Sequence, residues 1–191
     1  MADELVRHES PVEFFKEQVE GAMQRQRLRA SDWTVYYLVN LLASFVSPAR
    51  LEQMNAQEPL GLRLARAMAA EGGPKRDDLR FIADNSLFLA GFFGDSLQRR
   101  MVDLDYYVSL GGYAYSRLAN HDDAFADVFG ELAEKFVPVV DVLSDISDRS
   151  RSSNNRDVLR LYERWLRTGS ERDRLFLAEK GLTAPGSRRI Q

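Results

Sequence analysis

Apolar residues recur every three or four positions along most of the chain, which is the spacing of amphipathic helices. In DDAFADVFGELAEKF, residues 122–136, four apolar side chains fall on one face of a helix: Phe125, Phe129, Leu132 and Phe136. The segment VYYLVNLLASFV, residues 35–46, is apolar around the whole helix and is therefore predicted to lie at the centre of the fold. Strand-like patterns are scarce, so the sequence predicts an all-α protein.

Residues that begin and end helices divide this pattern into seven to eight segments. Ser10 and Glu13 form a capping box around Pro11, which predicts a first helix that ends near Arg27. Ser31 is placed to cap the central helix. Pro138 stands in the middle of an apolar pattern and is expected to kink or divide the helix there, because its ring clashes with the preceding turn.

Charge and composition divide the chain into a body and an end. Residues 1–148 hold 15 Lys/Arg against 24 Asp/Glu, whereas residues 149–191 hold 11 against 5. We predict a single-domain acidic bundle over 1–148, a polar linker over 149–156, basic C-terminal helices over 157–181 packed on the bundle, and a flexible tail over 182–191.

Bulk properties exclude several classes of chemistry. The 191 residues are 45% hydrophobic, which is enough for a sizeable core, and they include no cysteine, so disulfides, thiolate nucleophiles and iron–sulfur clusters are excluded. The N-terminal residues lack the pattern of a secretory signal, and the longest apolar run is shorter than the roughly 20 residues that span a bilayer. We expect a cytoplasmic protein with no membrane span.

Motifs for catalysis and metal binding are missing from the sequence. Neither His8 nor His121 belongs to a Glu-x-x-His pair, which a di-iron bundle requires. The glycines of EGGPKRDD, residues 71–78, do not form a phosphate-binding loop. We therefore assign no catalytic residue, no metal ligand and no cofactor, and we favour a protein that is not an enzyme.

Small and aromatic residues are concentrated in residues 84–116. Ser86, Ala90 and Gly94 share one helix face, and Gly111 and Gly112 lie inside the next predicted helix, where each glycine costs about 1 kcal/mol relative to alanine. We favour close packing between helices or subunits. The alternative is an apolar pocket for an aromatic, lipid-like or tetrapyrrole ligand, formed by Asp84, Phe88, Tyr106, Tyr107, Gly111, Gly112 and Tyr113.

The basic end offers a possible interaction surface. Four arginines form a stripe beside Trp165 on one predicted helix: Arg156, Arg160, Arg164 and Arg167. They could bind nucleic acid or, together with the tryptophan, a partner protein or a membrane surface, but we favour docking against the acidic residues Asp141, Asp145 and Asp148 of the same chain. A net-acidic body would repel phosphates, so nucleic acid is an unlikely partner.

These observations favour a non-enzymatic helical module for protein interaction or regulation, which we expect to be a homo-oligomer, most simply a homodimer, or to bind another protein. The alternative function is a ligand-binding or enzymatic bundle with an aromatic-lined pocket near residues 84–116 that takes a small apolar ligand.

Overall fold

A computed structural model describes residues 10–47, 50, 58–97, 104–121 and 124–152, and within these ranges the chain is all-helical. The described residues form seven helices and no strand, as the sequence predicts. The helices are α1 (Pro11–Gln26), α2 (Asp32–Phe45), α3 (Leu60–Ala69), α4 (Arg76–Leu97), α5 (Leu104–Ala119), α6 (Ala126–Glu134) and α7 (Phe136–Ser152). In this part of the chain no helix combines the length and the apolar character needed to cross a bilayer.

Capping residues set the ends of the first two helices. The Ser10 hydroxyl accepts from the amide of Glu13 at 3.2 Å, and the Glu13 carboxylate accepts from the amide of Ser10 at 3.1 Å, which completes the predicted capping box. Arg27, in the left-handed conformation (φ 55°), ends α1. Ser31 caps α2 through the amide of Thr34.

The helix that was expected to bend at Pro138 is divided in two. α6 ends at Glu134 and α7 begins at Phe136, so the break falls at Lys135. Pro138 lies in the first turn of α7, where its missing amide hydrogen costs no intrahelical hydrogen bond. α7 then continues to Ser152, into the segment 149–156 that we predict as a linker. The predicted C-terminal segments, 157–181 and 182–191, lie outside the described residues.

α4, rather than the apolar segment 35–46 of α2 that was expected there, is the central helix and packs against α3, α5 and α7. Gly91 lies directly against the side chain of Leu143 on α7, so the two helix backbones approach closely. This approach lets two serines of α7 donate to α4 carbonyl oxygens: Ser144 to Gly91 at 3.0 Å and Ser147 to Phe92 at 3.2 Å. The register between α4 and α7 is thus fixed by hydrogen bonds as well as by apolar contact.

The two small-residue faces of α4 and α5 meet at one point. A Cβ atom added to Gly111 would lie 2.8 Å from the Cβ of Ser86 and 2.6 Å from Cε2 of Phe136, which is too close for an alanine. Gly112, the next residue, has no neighbouring heavy atom within 4 Å of the same position. Only one of the two glycines is therefore required by packing between helices.

Charged side chains connect α7 to α1. Arg25 donates from Nε to Asp145 at 2.9 Å, and Arg149 donates to the same carboxylate at 3.2 Å. These bonds hold the pKa of Asp145 below its ordinary value, against an opposing effect of partial burial. Asp145, one of the acids expected to receive the basic end of the chain, is thus already paired with α1 and with its own helix.

Glu131 joins the start of α2 to α6. Its carboxylate accepts from the hydroxyls of Ser31 at 2.8 Å and Thr34 at 2.6 Å, and from Lys135 at 2.7 Å. Burial alone would raise the pKa of Glu131, but these hydrogen bonds outweigh it and lower the pKa to about 2. The carboxylate therefore acts as an ionised cap that fixes α6 against the N-terminus of α2.

Candidate functional site

A pocket with a volume of about 640 Å³ lies between α2 and α4. The residues of α2 that line it are Tyr36, Tyr37, Asn40, Leu41 and Ser44, and those of α4 are Asp77, Arg80, Phe81 and Asp84. Ser47, Arg50 and Phe125 complete the lining. The spacing of three and four residues on both helices means that one face of each helix is turned toward the pocket.

Asp84 is the buried acid of this pocket, with 4% of its surface exposed. Its Oδ1 atom accepts two hydrogen bonds from phenol hydroxyls, from Tyr37 at 2.7 Å and from Tyr115 at 2.8 Å. Tyr37 comes from α2 and Tyr115 from α5, so one carboxylate oxygen ties three helices together. Oδ2 accepts no hydrogen bond from the described residues, and Arg80 Nε lies 3.6 Å from it.

Burial controls the protonation of this cluster. It raises the pKa of Asp84, although the two phenol hydroxyls and the nearby arginines favour the ionised form. It also raises the pKa of Tyr37 and Tyr115, and the neighbouring Asp84 carboxylate adds to that effect. Both phenols therefore stay protonated over the ordinary pH range and remain donors to Asp84.

Arg80 connects the buried cluster to the surface. Its Nε donates to the Tyr37 hydroxyl at 3.2 Å, and its guanidinium lies 5.3 Å from the centre of the Tyr37 ring. Because Arg80 is four residues before Asp84 on α4, the two side chains lie on the same face of that helix. The Arg80 charge thus compensates the Asp84 carboxylate.

Arg50 is the second cation of the pocket. Its guanidinium carbon lies 4.8 Å from the centre of the Phe45 ring and 5.2 Å from that of Phe81. Its Nε is buried and has no hydrogen-bond partner among the described residues. Burial lowers the pKa of Arg50, and Asp84 partly restores it. The Arg50 guanidinium also lines the cavity, where its N–H groups can donate to an oxygen atom.

The rest of the pocket combines aromatic walls with small polar groups. Three of the polar side chains donate to backbone carbonyls of α2: Asn40 to Tyr36 at 2.8 Å, Ser44 to Leu41 at 2.6 Å, and Ser47 to Ser44 at 2.7 Å. The aromatic surface comes from Tyr36, Phe81 and Phe125. A flat organic molecule could contact these rings while its polar group meets the arginines.

This arrangement has a limited chemical repertoire. The arginines can hold an oxyanion or a carbonyl oxygen, and Asp84 can exchange a proton with a bound molecule because a buried carboxyl with a raised pKa can serve as an acid or a base. The described residues contain no cluster of three or more histidines and carboxylates that could hold a metal ion.

The structure brings only one of the seven residues of the predicted ligand site, Asp84, to this pocket. Phe88 is in the core, where its ring stacks on Phe45 at 3.9 Å, and Gly111 is covered by Phe136 and Ser86. Tyr107 packs against the core from a partly buried position. Gly112, Tyr106 and Tyr113 also lie on α5 and do not line the pocket.

The predicted interaction residues of the basic end lie outside the described residues. They are Arg156, Arg160, Arg164, Trp165 and Arg167. A different apolar surface is visible between α3 and α5, formed by Met68, Tyr106 and Tyr113, which we name the α3–α5 surface. Tyr106 and Tyr113 are 39% and 38% exposed, and the Tyr113 hydroxyl lies 3.3 Å from the Met68 sulfur.

Sequence reasoning missed Tyr37, Arg50 and Arg80 as site residues. One signal was present: Arg80 and Asp84 are four residues apart, and Asp84, Asn85 and Ser86 are consecutive polar residues in the otherwise apolar stretch 81–94. All three are buried, which is unusual without a structural or functional reason. Nothing in the sequence pairs Tyr37 or Arg50 with Asp84, because the pairing depends on how α2 approaches α4.

Comparisons with known proteins add no functional information. No family model, no curated protein and no solved structure matches this chain.

Proposed function

We propose that this protein binds a small organic molecule in the pocket between α2 and α4. One observation carries the proposal: an arginine whose Nε has no acceptor among the described residues, Arg50, and a buried acid, Asp84, line the same cavity. Buried polar groups in proteins are nearly always hydrogen-bonded to protein, water or a bound group, so a cation and an acid that face one cavity favour a polar ligand there. The cavity volume of about 640 Å³ is within the usual range for small-molecule sites.

A blocked pocket is expected to abolish ligand binding. In the Asn40→Trp variant the indole would enter the cavity, and a molecule that co-purifies with the wild-type protein should disappear from its native mass spectrum. Asn120→Trp is the matched control, because Asn120 also donates to the carbonyl four residues earlier at 2.8 Å but lies outside the pocket. This variant should retain the ligand.

If the purified protein carries no bound molecule, a library of small fragments is screened against it by NMR. Fragments that shift the resonances of pocket residues in the wild type and in Asn120→Trp, but not in Asn40→Trp, would support the proposal. The absence of both an adduct and any such fragment would count against it.

A second candidate function is the interaction module that the sequence favours, and the observation behind it is the exposed α3–α5 surface. Exposed aromatic and methionine side chains are enriched in protein interfaces. The partner would be a second copy of the chain or another protein.

A charge placed on the α3–α5 surface is expected to weaken self-association. Met68→Glu should lower the apparent mass in light scattering across a concentration series, because a desolvated carboxylate is costly in an interface. Val137→Glu is the matched control, since Met68 and Val137 are each 51% exposed and Val137 lies on α7. A wild-type protein that remains monomeric throughout the series would exclude the homodimer.

A further inference from the structure

We infer that the ligand of the pocket is a small aromatic acid whose carboxylate is received by Arg50. This inference rests on the proposed function and adds the chemical class of the molecule. It follows from the hydrogen-bonding state of Arg50, the balance of charge in the pocket and the shape of the surrounding surfaces.

Arg50 is held in an environment that favours an anionic acceptor. Its guanidinium lies over the rings of Phe45 and Phe81, and its buried Nε donates to no described group, although Arg50 as a whole is only partly buried. An arginine bound to a carboxylate forms short hydrogen bonds that are about twice as strong as neutral ones. The rings therefore position a guanidinium that gains most from a charged oxygen.

Arg63 provides an instructive contrast. It lies over the same Phe81 ring, at 4.1 Å from its centre, but its Nε and Nη2 both donate to Asp78, at 3.0 and 2.8 Å. Arg63 is thus paired with a carboxylate of its own chain, whereas the Nε of Arg50, beside the same ring, has no acceptor among the described residues. The Arg63–Asp78 pair illustrates the kind of partner that an arginine beside Phe81 accepts.

The charge balance of the pocket favours a singly charged ligand. Its lining contains two arginines and two aspartates. Arg80 compensates Asp84 at 3.6 Å, and Asp77 is 97% exposed with Arg76 at 3.8 Å, so its charge is largely screened by water. Among the described residues, the Arg50 charge is offset only in part, by Asp84, which matches a carboxylate better than a doubly charged phosphate.

The remaining surfaces indicate a flat body for the ligand. Tyr36, Phe81 and Phe125 line the cavity, and rings of this kind contact planar molecules with little loss of side-chain entropy. The hydroxyl oxygens of Ser44 and Ser47 retain acceptor capacity because both hydroxyls donate to the backbone. A ring with a carboxylate at one end and a hydrogen-bond donor elsewhere would satisfy these groups together.

The test compares four probes that share a phenyl ring and differ in the charge of the attached group: benzoate, benzamide, benzylamine and phenyl phosphate. Binding is measured by calorimetry, and NMR shifts of pocket residues locate it. We expect benzoate to bind the wild-type protein at least about tenfold more tightly than the neutral amide, and the amine to bind weakest. Phenyl phosphate is expected to bind more weakly than benzoate, because the Arg50 charge is offset in part by Asp84 and does not match a doubly charged group.

Arg50→Gln and Arg63→Gln are the matched variants, since each removes one positive charge beside the Phe81 ring. Benzoate affinity should fall about tenfold or more in Arg50→Gln and change less than about threefold in Arg63→Gln. Benzamide affinity should change little in either variant. Circular dichroism verifies that each variant is folded, and the probe preference of the wild-type protein tests the inference even if a variant is not.

The outcomes separate this inference from the proposed function. Equal binding of benzoate and benzamide in the pocket, or unchanged benzoate affinity in Arg50→Gln, would overturn the carboxylate assignment and leave the pocket function intact. Tighter binding of phenyl phosphate than benzoate would replace the carboxylate by a phosphate ester. Failure of all four probes would overturn the aromatic-acid assignment, and only the additional absence of an adduct and of any pocket-binding fragment would overturn the proposed function itself.

Discussion

Replacement of Gly111 by alanine should destabilise the protein by about 2–3 kcal/mol, whereas replacement of its neighbour Gly112 should stabilise it by about 0.5–1 kcal/mol. A methyl group on Gly111 would collide with the Phe136 ring and with the Cβ of Ser86, both of which are buried. A methyl group on Gly112 would meet no atom within 4 Å. The only remaining effect there is the higher helix propensity of alanine.

Urea denaturation of the two variants measures this difference directly. The pair is its own control, since both positions lie in α5 and the chemical change is identical. Replacement of glycine by alanine therefore lowers the conformational entropy of the unfolded chain by nearly the same amount in both variants. Equal stability changes for the two variants would show that Phe136 and Ser86 yield to the added methyl group and that Gly111 is not required for helix packing.

Replacement of Asp84 by alanine is expected to cost about 3 kcal/mol. The substitution leaves the hydroxyls of Tyr37 and Tyr115 without their acceptor in a buried site, and each unsatisfied buried group costs about 1–3 kcal/mol. Asp84→Asn should cost less than about 1 kcal/mol, because the amide oxygen can accept from both phenols. The free energy of unfolding in urea distinguishes the two variants.

Asp78→Ala is the matched control for Asp84→Ala. Asp78 lies on the same helix and pairs with Arg63, but it is 29% exposed, so the loss of this ion pair should cost about 1 kcal/mol or less. If Asp84→Ala is no less stable than Asp78→Ala, the hydrogen-bonded cluster of Asp84, Tyr37 and Tyr115 does not stabilise the fold.

The raised pKa of Asp84 also predicts a pH dependence. A carboxyl whose pKa is higher in the folded state than in the unfolded state opposes folding when it ionises. This destabilisation by the ionised Asp84 is absent below the unfolded pKa of 3.8. It grows as the pH rises from there to the pKa of Asp84 in the folded protein. The stability of the wild-type protein relative to Asp84→Asn should therefore fall with rising pH over this window, which the same urea titrations at several pH values would reveal.

Local signals in the sequence predicted the helices well. The capping box at Ser10 and Glu13, the cap at Ser31 and the division near Pro138 all depend on residues within four positions of one another, so their physics is contained in the local sequence. The sequence also pointed to close packing by the glycines of residues 84–116, but it did not separate the two positions. Gly111 contacts Ser86 of the neighbouring helix, whereas Gly112 faces open space. Spacing alone does not distinguish adjacent glycines.

The candidate site was largely beyond the reach of sequence reasoning. Asp84 was identified as a possible ligand residue, but it was placed beside the tyrosines of α5, whereas the pocket lies on its other side, against α2. Tyr115 does reach Asp84 from α5, and Tyr37 reaches it from 47 residues earlier in the chain. Which of the seven tyrosines meets which of the acids depends on helix order and rotation.

By itself, the sequence determined the all-α class, the main helix ends and the exclusion of cysteine chemistry, because each depends on composition or on contacts within a turn of helix. Only the tertiary structure decided that α2 and α4 enclose a pocket, that Asp84 is buried between two phenols, and that Arg50 has a buried donor with no acceptor among the described residues. The physical reason is that burial and charge pairing are properties of side chains from distant segments, and they exist only once those segments have packed together.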